Sequence, residues 1–264
     1  MTKKLLLALL SFAAVGTVTI RAQASAAPAA AAPAYTVTST FSAVSQYMFR
    51  GQRLGGPSWQ PSVEVAAGDF TAGLWSNFPF KDKVKDSSAP EFDLYGSYTL
   101  KVNKDLAFVP AFTFYDYPKA PTNAGYYRST FEPSVAVNYT VADVRLTPKY
   151  YYDVVLSGPT YELTAAYSVA LKDLGTSLDF TGQIGTYRVT DAANNTTPSV
   201  KAWGDYWMLG VAAPFQLTKE SKLTVGFAYT EGRDAFFKQG NFPKGVNSLA
   251  VGRGVVTVSY SYAF

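Results

Sequence analysis

The chain contains no cysteine and no histidine, and only three methionines and four tryptophans in 264 residues. Without cysteine there are no disulfides and no thiolate chemistry. Without histidine the Ser-His and Asp-His machineries of membrane lipases and proteases cannot be assembled, and the His-bearing zinc motifs are missing. Beyond the first twenty or so residues there is no apolar run approaching the roughly 20 residues of a spanning helix. Charge is sparse, with 23 Lys and Arg against 19 Asp and Glu, a formal +4. Removing Lys3, Lys4 and Arg21 with an N-terminal leader leaves +1, too near neutral to favour nucleic acid. A retaining carboxylate pair is the one enzymatic reading that survives, and it is the weaker one. The chain therefore reads as a non-enzyme with no cofactor, no metal and no nucleic-acid partner.

What the sequence does have is aromatics and alternation. There are 19 Tyr and 18 Phe, with a mean hydropathy of +0.00. An aromatic excess in a chain of average hydropathy fits girdles at two membrane interfaces. The C-terminus, Val256-Thr257-Val258-Ser259-Tyr260-Ser261-Tyr262-Ala263-Phe264, alternates apolar with small polar residues. Strand side chains alternate between faces. Val256, Val258, Tyr260, Tyr262 and Phe264 thus share one face, and Thr257, Ser259 and Ser261 the other. An apolar outside and a polar inside are the mark of a transmembrane β-strand.

About twelve such segments follow one another. They lie near Tyr35–Phe49, Ser58–Ala67, Phe70–Phe78, Glu91–Val102, Leu106–Tyr115, Tyr127–Thr140, Asp143–Val154, Thr160–Leu171, Ser177–Val189, Asp205–Leu217, Lys222–Thr230 and Leu249–Phe264. Short connections at Gly68-Asp69, Asn103-Lys104-Asp105, Val141-Ala142 and Thr218–Ser221 alternate with longer polar ones, Pro79–Pro90, Asp116–Tyr126, Thr190–Trp203 and Glu231–Asn247, with Gly51–Pro57 intermediate and Val155–Pro159 the one short member of that second set. This asymmetry separates an outer-membrane barrel, with tight periplasmic turns, from a soluble sandwich. The expected fold is all-β: a transmembrane antiparallel up-and-down β-barrel over residues 35–264, with both termini periplasmic. Asn194-Asn195-Thr196-Thr197 matches glycosylation patterns but reads only as loop.

The N-terminus supports export. Met1-Thr2-Lys3-Lys4, an apolar Leu5–Ile20 stretch and small-residue sites at Ala22-Gln23-Ala24 and Ala24-Ser25-Ala26 form a signal peptide. Cleavage follows residue 24 or 26, and residues 25–34 are an Ala/Pro-rich linker. The expected location is the outer membrane of a Gram-negative bacterium. The partners are outer-membrane lipid, the barrel-assembly machinery through the C-terminal strand, and small solutes. The oligomeric state is left open.

Projected on the alternation, charged strand residues fall inward: Glu64, Asp93, Lys101, Glu132, Arg145, Lys149, Glu162 and Asp179, joined by Gln60, Thr113, Asn138, Thr164 and Gln183. Avoidance alone explains this, since Lys or Arg facing lipid at mid-depth costs about 2–4 kcal/mol. Glu132 and Lys149 are expected to pair diagonally across the Val141-Ala142 turn. Twelve strands fall between the filled eight-stranded interior and the aqueous sixteen-stranded one. A narrow pore is expected, and an inward-folded loop would close it.

One segment carries a family resemblance. Val44-Ser45-Gln46-Tyr47-Met48-Phe49-Arg50-Gly51 runs to Pro57-Ser58-Trp59-Gln60-Pro61, and Phe70-Thr71-Ala72-Gly73-Leu74-Trp75-Ser76-Asn77 follows. This resembles the opening of the TorF-like porins, a bacterial outer-membrane family, through Tyr47, Phe49, Arg50, Gly51, Pro57 and Gln60. Gln46 stands where that family has an acid. The resemblance spans about two hairpins; it implies an outer-membrane porin and no particular solute. Locally, Arg50-Gly51 reads as the end of a strand and Gly55-Gly56-Pro57 as a turn, with Arg50 anchoring the loop or the outer rim. The functional expectation is passive passage of small hydrophilic solutes past Glu64, Asp93, Glu132, Arg145, Lys149 and Glu162. The alternative is a closed barrel whose outer loops bind a partner, motivated by Phe236, Phe237 and Phe242 in the Glu231–Asn247 loop.

Overall fold

The computed structural model describes residues 35–80, 90–120, 122, 127–190, 201–233 and 251–264. The signal peptide and linker expected over 1–34, and most of the Glu231–Asn247 loop with its phenylalanines, lie outside the described residues. The strands are β1 (Thr36–Val44), β2 (Tyr47–Phe49), β3 (Gln52–Gly55), β4 (Ser58–Ala67), β5 (Phe70–Pro79), β6 (Glu91–Tyr98), β7 (Leu100–Lys101), β8 (Leu106–Asp116), β9 (Ser129–Val141), β10 (Val144–Asp153), β11 (Gly158–Leu171), β12 (Thr176–Thr190), β13 (Lys201–Gln216), β14 (Ser221–Arg233) and β15 (Arg253–Ala263). No helix among the described residues is long and apolar enough to cross a membrane.

Every wall strand pairs antiparallel with its neighbour in sequence, and β1 pairs with β15, so the sheet closes into a twelve-stranded barrel. The short β7 prolongs β6 along β8. Closure leaves no sheet edge in the bilayer, where unpaired backbone groups cost several kcal/mol each. The seam carries its own register lock. Thr40↔Ser261 and Ser42↔Ser259 are cross-strand partners, and their hydroxyls meet at 2.9 and 2.8 Å. A one-residue slip would turn these hydroxyls toward lipid.

The faces follow the alternation. Val256, Val258, Tyr260 and Tyr262 are exposed outside, while Thr257 and Ser259 are buried inside. Phe131, Val135 and Tyr139 on β9, Tyr161, Leu163, Tyr167 and Val169 on β11, and Val225, Phe227 and Tyr229 on β14 also face out. This continuous apolar exterior is a lipid-facing surface, and the chain is an outer-membrane β-barrel. Tight turns gather at one end. Ala142 and Asp143 both have positive φ (47° and 64°) in a two-residue connection between Val141 and Val144. That is the type I′ geometry whose twist matches flanking strands.

One expected element is different. The first strand does not run through Tyr35–Phe49: β1 stops at Val44, and Tyr47–Phe49 pairs with Gln52–Gly55 in a separate two-stranded sheet. The reason is the Arg50-Gly51 pair. Both residues have positive φ (49° and 73°) between the partners Phe49 and Gln52, which makes a tight hairpin turn rather than a strand end.

Candidate functional site

The β2–β3 hairpin lies inside the barrel. Its side chains reach wall residues on opposite sides, which only an interior position permits. Met48 packs with Val44 and Val255 at the seam. The Tyr47 ring meets Trp75 of β5 at 5.7 Å, and Phe49 meets Tyr115 of β8 at 6.2 Å. Arg50 at the tip crosses to β9 and grips Glu132 with two parallel bonds, Nη1 to Oε2 at 2.9 Å and Nη2 to Oε1 at 2.8 Å. Its guanidinium also lies 4.7 Å from the Phe49 ring centroid and 4.8 Å from that of Tyr151 on β10. Gly51 abuts Gly232 of β14 and Tyr206 of β13. The hairpin is thus a bar across the loop end of the lumen, touching walls nearly all the way round.

The Arg50–Glu132 pair is buried, with the side chains 9% and 2% exposed. Burial works against the guanidinium, but the adjacent carboxylate more than offsets it, so that Arg50 is held more firmly in its charged form. Planar, bidentate geometry is the strongest arrangement available to such a pair. It also holds a non-glycine residue at positive φ, a conformation that needs surrounding support. Across the hairpin, Arg53 Nε donates to Gln46 Oε1 at 2.6 Å. Gln46 therefore has a defined acceptor role.

The wall carboxylates have donors of their own. Tyr95 donates to Glu64 at 3.1 Å, Tyr115 to Glu132 at 3.1 Å, Tyr151 to Glu162 at 3.0 Å and Tyr206 to Glu162 at 2.6 Å. Thr130 donates to Asp153 at 2.5 Å, and Ser168 and Ser177 to Asp179. Two of these contacts share one construction. Glu64, Gly73 and Tyr95 are register neighbours on β4, β5 and β6; Glu162, Gly185 and Tyr206 are the same on β11, β12 and β13. In each the tyrosine lies across the glycine to reach the acid two strands away. A Cβ on Gly73 would stand 2.4 Å from the Tyr95 hydroxyl, and one on Gly185 2.3 Å from the Tyr206 ring. Only glycine leaves room for the phenol.

Asp93 is the exception. It is 1% exposed, and among the described residues neither carboxylate oxygen has a hydrogen-bond partner. It faces the hairpin beside Glu91, which accepts from Tyr117 at 3.0 Å. The Tyr47 hydroxyl is buried above them and faces the Glu91 carboxylate. Burial, and then the charges of Glu91 and Asp93, push the Tyr47 phenol well up, so it stays neutral.

The expected interior residues fall as follows. Glu64, Asp93, Glu132, Arg145 and Asp179 are buried in the interior, and Lys149 and Glu162 are half-buried there. Gln60 donates to Asn77 at 3.0 Å, and the Pro57 carbonyl accepts from Phe80 N at 2.8 Å, fixing the hairpin's root. Three expectations change. Lys101 is not in the lumen: it is largely exposed at the tight-turn end and bridges Asp69. Arg50 anchors the loop, but across the interior rather than at the rim. Glu132 does not pair with Lys149, because Arg50 occupies it; Lys149 stands opposite Glu162 with its ammonium 4.3 Å from the Tyr151 ring centroid. The sequence reading also missed Glu91, Asp153 and the inward tyrosines 95, 115, 151, 187 and 206. Parity with Asp93, Thr113, Lys149 and Gln183 is the available signal for all but Tyr206, whose strand carries no residue assigned inward, and an aromatic is compatible with either face.

The family model described as a bacterial protein of unknown function (Gcw_chp) matches residues 28–262, and the chain belongs to that family. No curated protein matches it. Among solved structures it is similar to the KdgM porin, at 11% identity over 86% of this chain and 99% of that one, with a TM-score of 0.53. It is also similar to the NanC porin, at 11% identity, 87% and 99% coverage and a TM-score of 0.47. A third is the COG4313 outer membrane channel from Pseudomonas putida F1, at 12% identity, 87% and 94% coverage and a TM-score of 0.42. At 11% identity the likeness to the KdgM porin is one of fold.

Proposed function

We propose that this barrel is an outer-membrane pore for passive diffusion of small hydrophilic solutes. The path runs through the interior, past Glu64, Asp93, Glu132, Arg145, Lys149 and Glu162. The observation that carries this reading is the wall's self-sufficiency. Nearly every inward carboxylate is held by a donor on the wall itself, so the polar lining persists without help from the hairpin. An interior built only to be filled would need no such polar lining, because apolar packing avoids the cost of burying charge. The porin fold of KdgM and the TorF-like opening motif support the same reading. Export by a signal peptide cleaved after residue 24 or 26, with both termini periplasmic, belongs to this proposal.

The alternative is a closed barrel that acts through its loops. It is favoured by the hairpin, whose contacts reach the seam, β5, β8, β9, β10, β13 and β14. Single-channel conductance of the purified protein in planar bilayers separates the two. Discrete conducting steps are expected. Silence from folded protein, including variants with the hairpin unseated, would favour the closed barrel.

A further inference from the structure

The hairpin crosses the lumen at its loop end, and several features bear on whether it can leave. It shares no strand pairing with the barrel: β2 and β3 form a sheet of their own. Its backbone meets the wall at its roots, where Ser45 N donates to Val256 O at 2.9 Å and Phe80 N donates to Pro57 O at 2.8 Å. Withdrawing β2 and β3 between these roots therefore breaks no strand pairing of the wall. One root is Gly55-Gly56-Pro57, a segment able to absorb backbone rotation.

The contact surfaces are balanced rather than optimised. On one side stands the bidentate Arg50–Glu132 pair. Against it stand two buried atoms with no partner among the described residues, the Asp93 carboxylate oxygens. Unpartnered buried polar atoms, a carboxylate above all, oppose the state that buries them. Withdrawal would hydrate both. It would also leave Glu132 with the Tyr115 hydroxyl as donor, so the wall does not lose its last partner when Arg50 departs.

We infer that residues 45–57 form a displaceable plug. Seated, with Arg50 latched on Glu132, it closes the pore; conduction requires its withdrawal as a unit toward the loop end. The inference rests on the pore reading above and adds the element that opens and closes the path. The groups facing the latch include Tyr151 and Lys149 on β10, Tyr115 on β8, Tyr206 on β13 and Asp93 on β6.

The absence of native cysteine makes a clean test available. Met48 and Val255 pack together between hairpin and seam. Met48→Cys with Val255→Cys, closed by oxidation or by a short bismaleimide, ties the plug in place. A second variant, Gly232→Val, acts from the wall alone: its Cβ would stand 2.5 Å from the Gly51 carbonyl oxygen, so the seat no longer fits. Both are full-length proteins whose folding is checked by the heat-dependent gel shift of detergent-stable barrels.

In planar bilayers the oxidised pair should be silent, with conductance appearing on reduction, and a bismaleimide-tied pair should stay silent. Gly232→Val should be open for a several-fold larger fraction of the time than wild type. Equal conductance of the tied and untied pair would overturn the plug while leaving the pore reading intact. Silence from folded Gly232→Val and from the reduced pair would overturn the pore reading, and the plug with it.

Discussion

Gly51 and Gly232 meet backbone to backbone inside the barrel. A Cβ on Gly51 would lie 2.4 Å from the Gly232 Cα, and one on Gly232 would lie 2.5 Å from the Gly51 carbonyl oxygen. Neither distance is tolerated by real side chains, so the tip of the hairpin can reach the β14 wall only where both residues are glycine. The neighbouring Arg50 then falls within reach of Glu132. Seat and latch are consequences of one two-residue turn.

The latch makes a direct prediction. Arg50→Met leaves Glu132 buried without its cation, which costs about 3–5 kcal/mol as long as the hairpin stays seated. The hairpin should therefore leave its seat, and amide hydrogen exchange over residues 47–55 should rise while the β9 and β10 ladders stay protected. Adding Glu132→Gln should restore much of the protection. Unchanged exchange in Arg50→Met would show that the pair does not hold the hairpin.

The tyrosine-over-glycine construction predicts a contrast within a single strand. In Gly185→Ala the new methyl collides with the Tyr206 ring and displaces its 2.6 Å bond to Glu162. A loss of about 1–3 kcal/mol is expected. Gly182→Ala on the same strand meets only a leucine methyl at 3.4 Å and should be nearly neutral. The temperature of the gel-mobility transition in detergent reads both, and equal transitions would refute the steric account.

On the last strand, Val258 faces lipid and Ser259 faces the interior. Arginine at Val258 should cost about 2–4 kcal/mol at mid-depth and impair assembly. Arginine at Ser259 should be much better tolerated. The yield of heat-modifiable barrel in outer-membrane fractions compares them, and equal yields would contradict the register.

Lys149 lies inside, opposite Glu162 and over Tyr151. In the conducting state Lys149→Glu reverses one charge in a narrow, low-dielectric passage, so selectivity should move toward cations. Reversal potential in a salt gradient measures this. A folded, conducting variant with the wild-type potential would remove Lys149 from the path.

Much of this protein was legible in the chain itself. Period-two alternation in segments such as Tyr161–Leu171 can satisfy the physics of a membrane in one way, apolar side out, and tight turns such as Gly68-Asp69 alternate with long connections only in an up-and-down barrel. Inward placement of Glu64 or Glu132 followed from parity, because a one-residue error would put a charge in lipid. Parity also carried the inward tyrosines other than Tyr206, but an aromatic is welcome on either side of the wall, so hydropathy alone did not reveal them.

The sequence by itself determined the strands, their faces and the ring they close, because those depend on local period and on the cost of polar groups in lipid. The tertiary structure alone decided what occupies the ring. Arg50-Gly51 looks the same whether it ends a strand or turns a hairpin inward. Its partners Glu132, Tyr151 and Gly232 stand between 82 and 181 positions further along the chain, and nothing in local pattern encodes such a meeting. Pairing of Glu132 with Arg50 rather than Lys149 is likewise a matter of three-dimensional reach. The choice goes to the side chain that can present two parallel donors to a buried carboxylate, and only the closed barrel brings that side chain there.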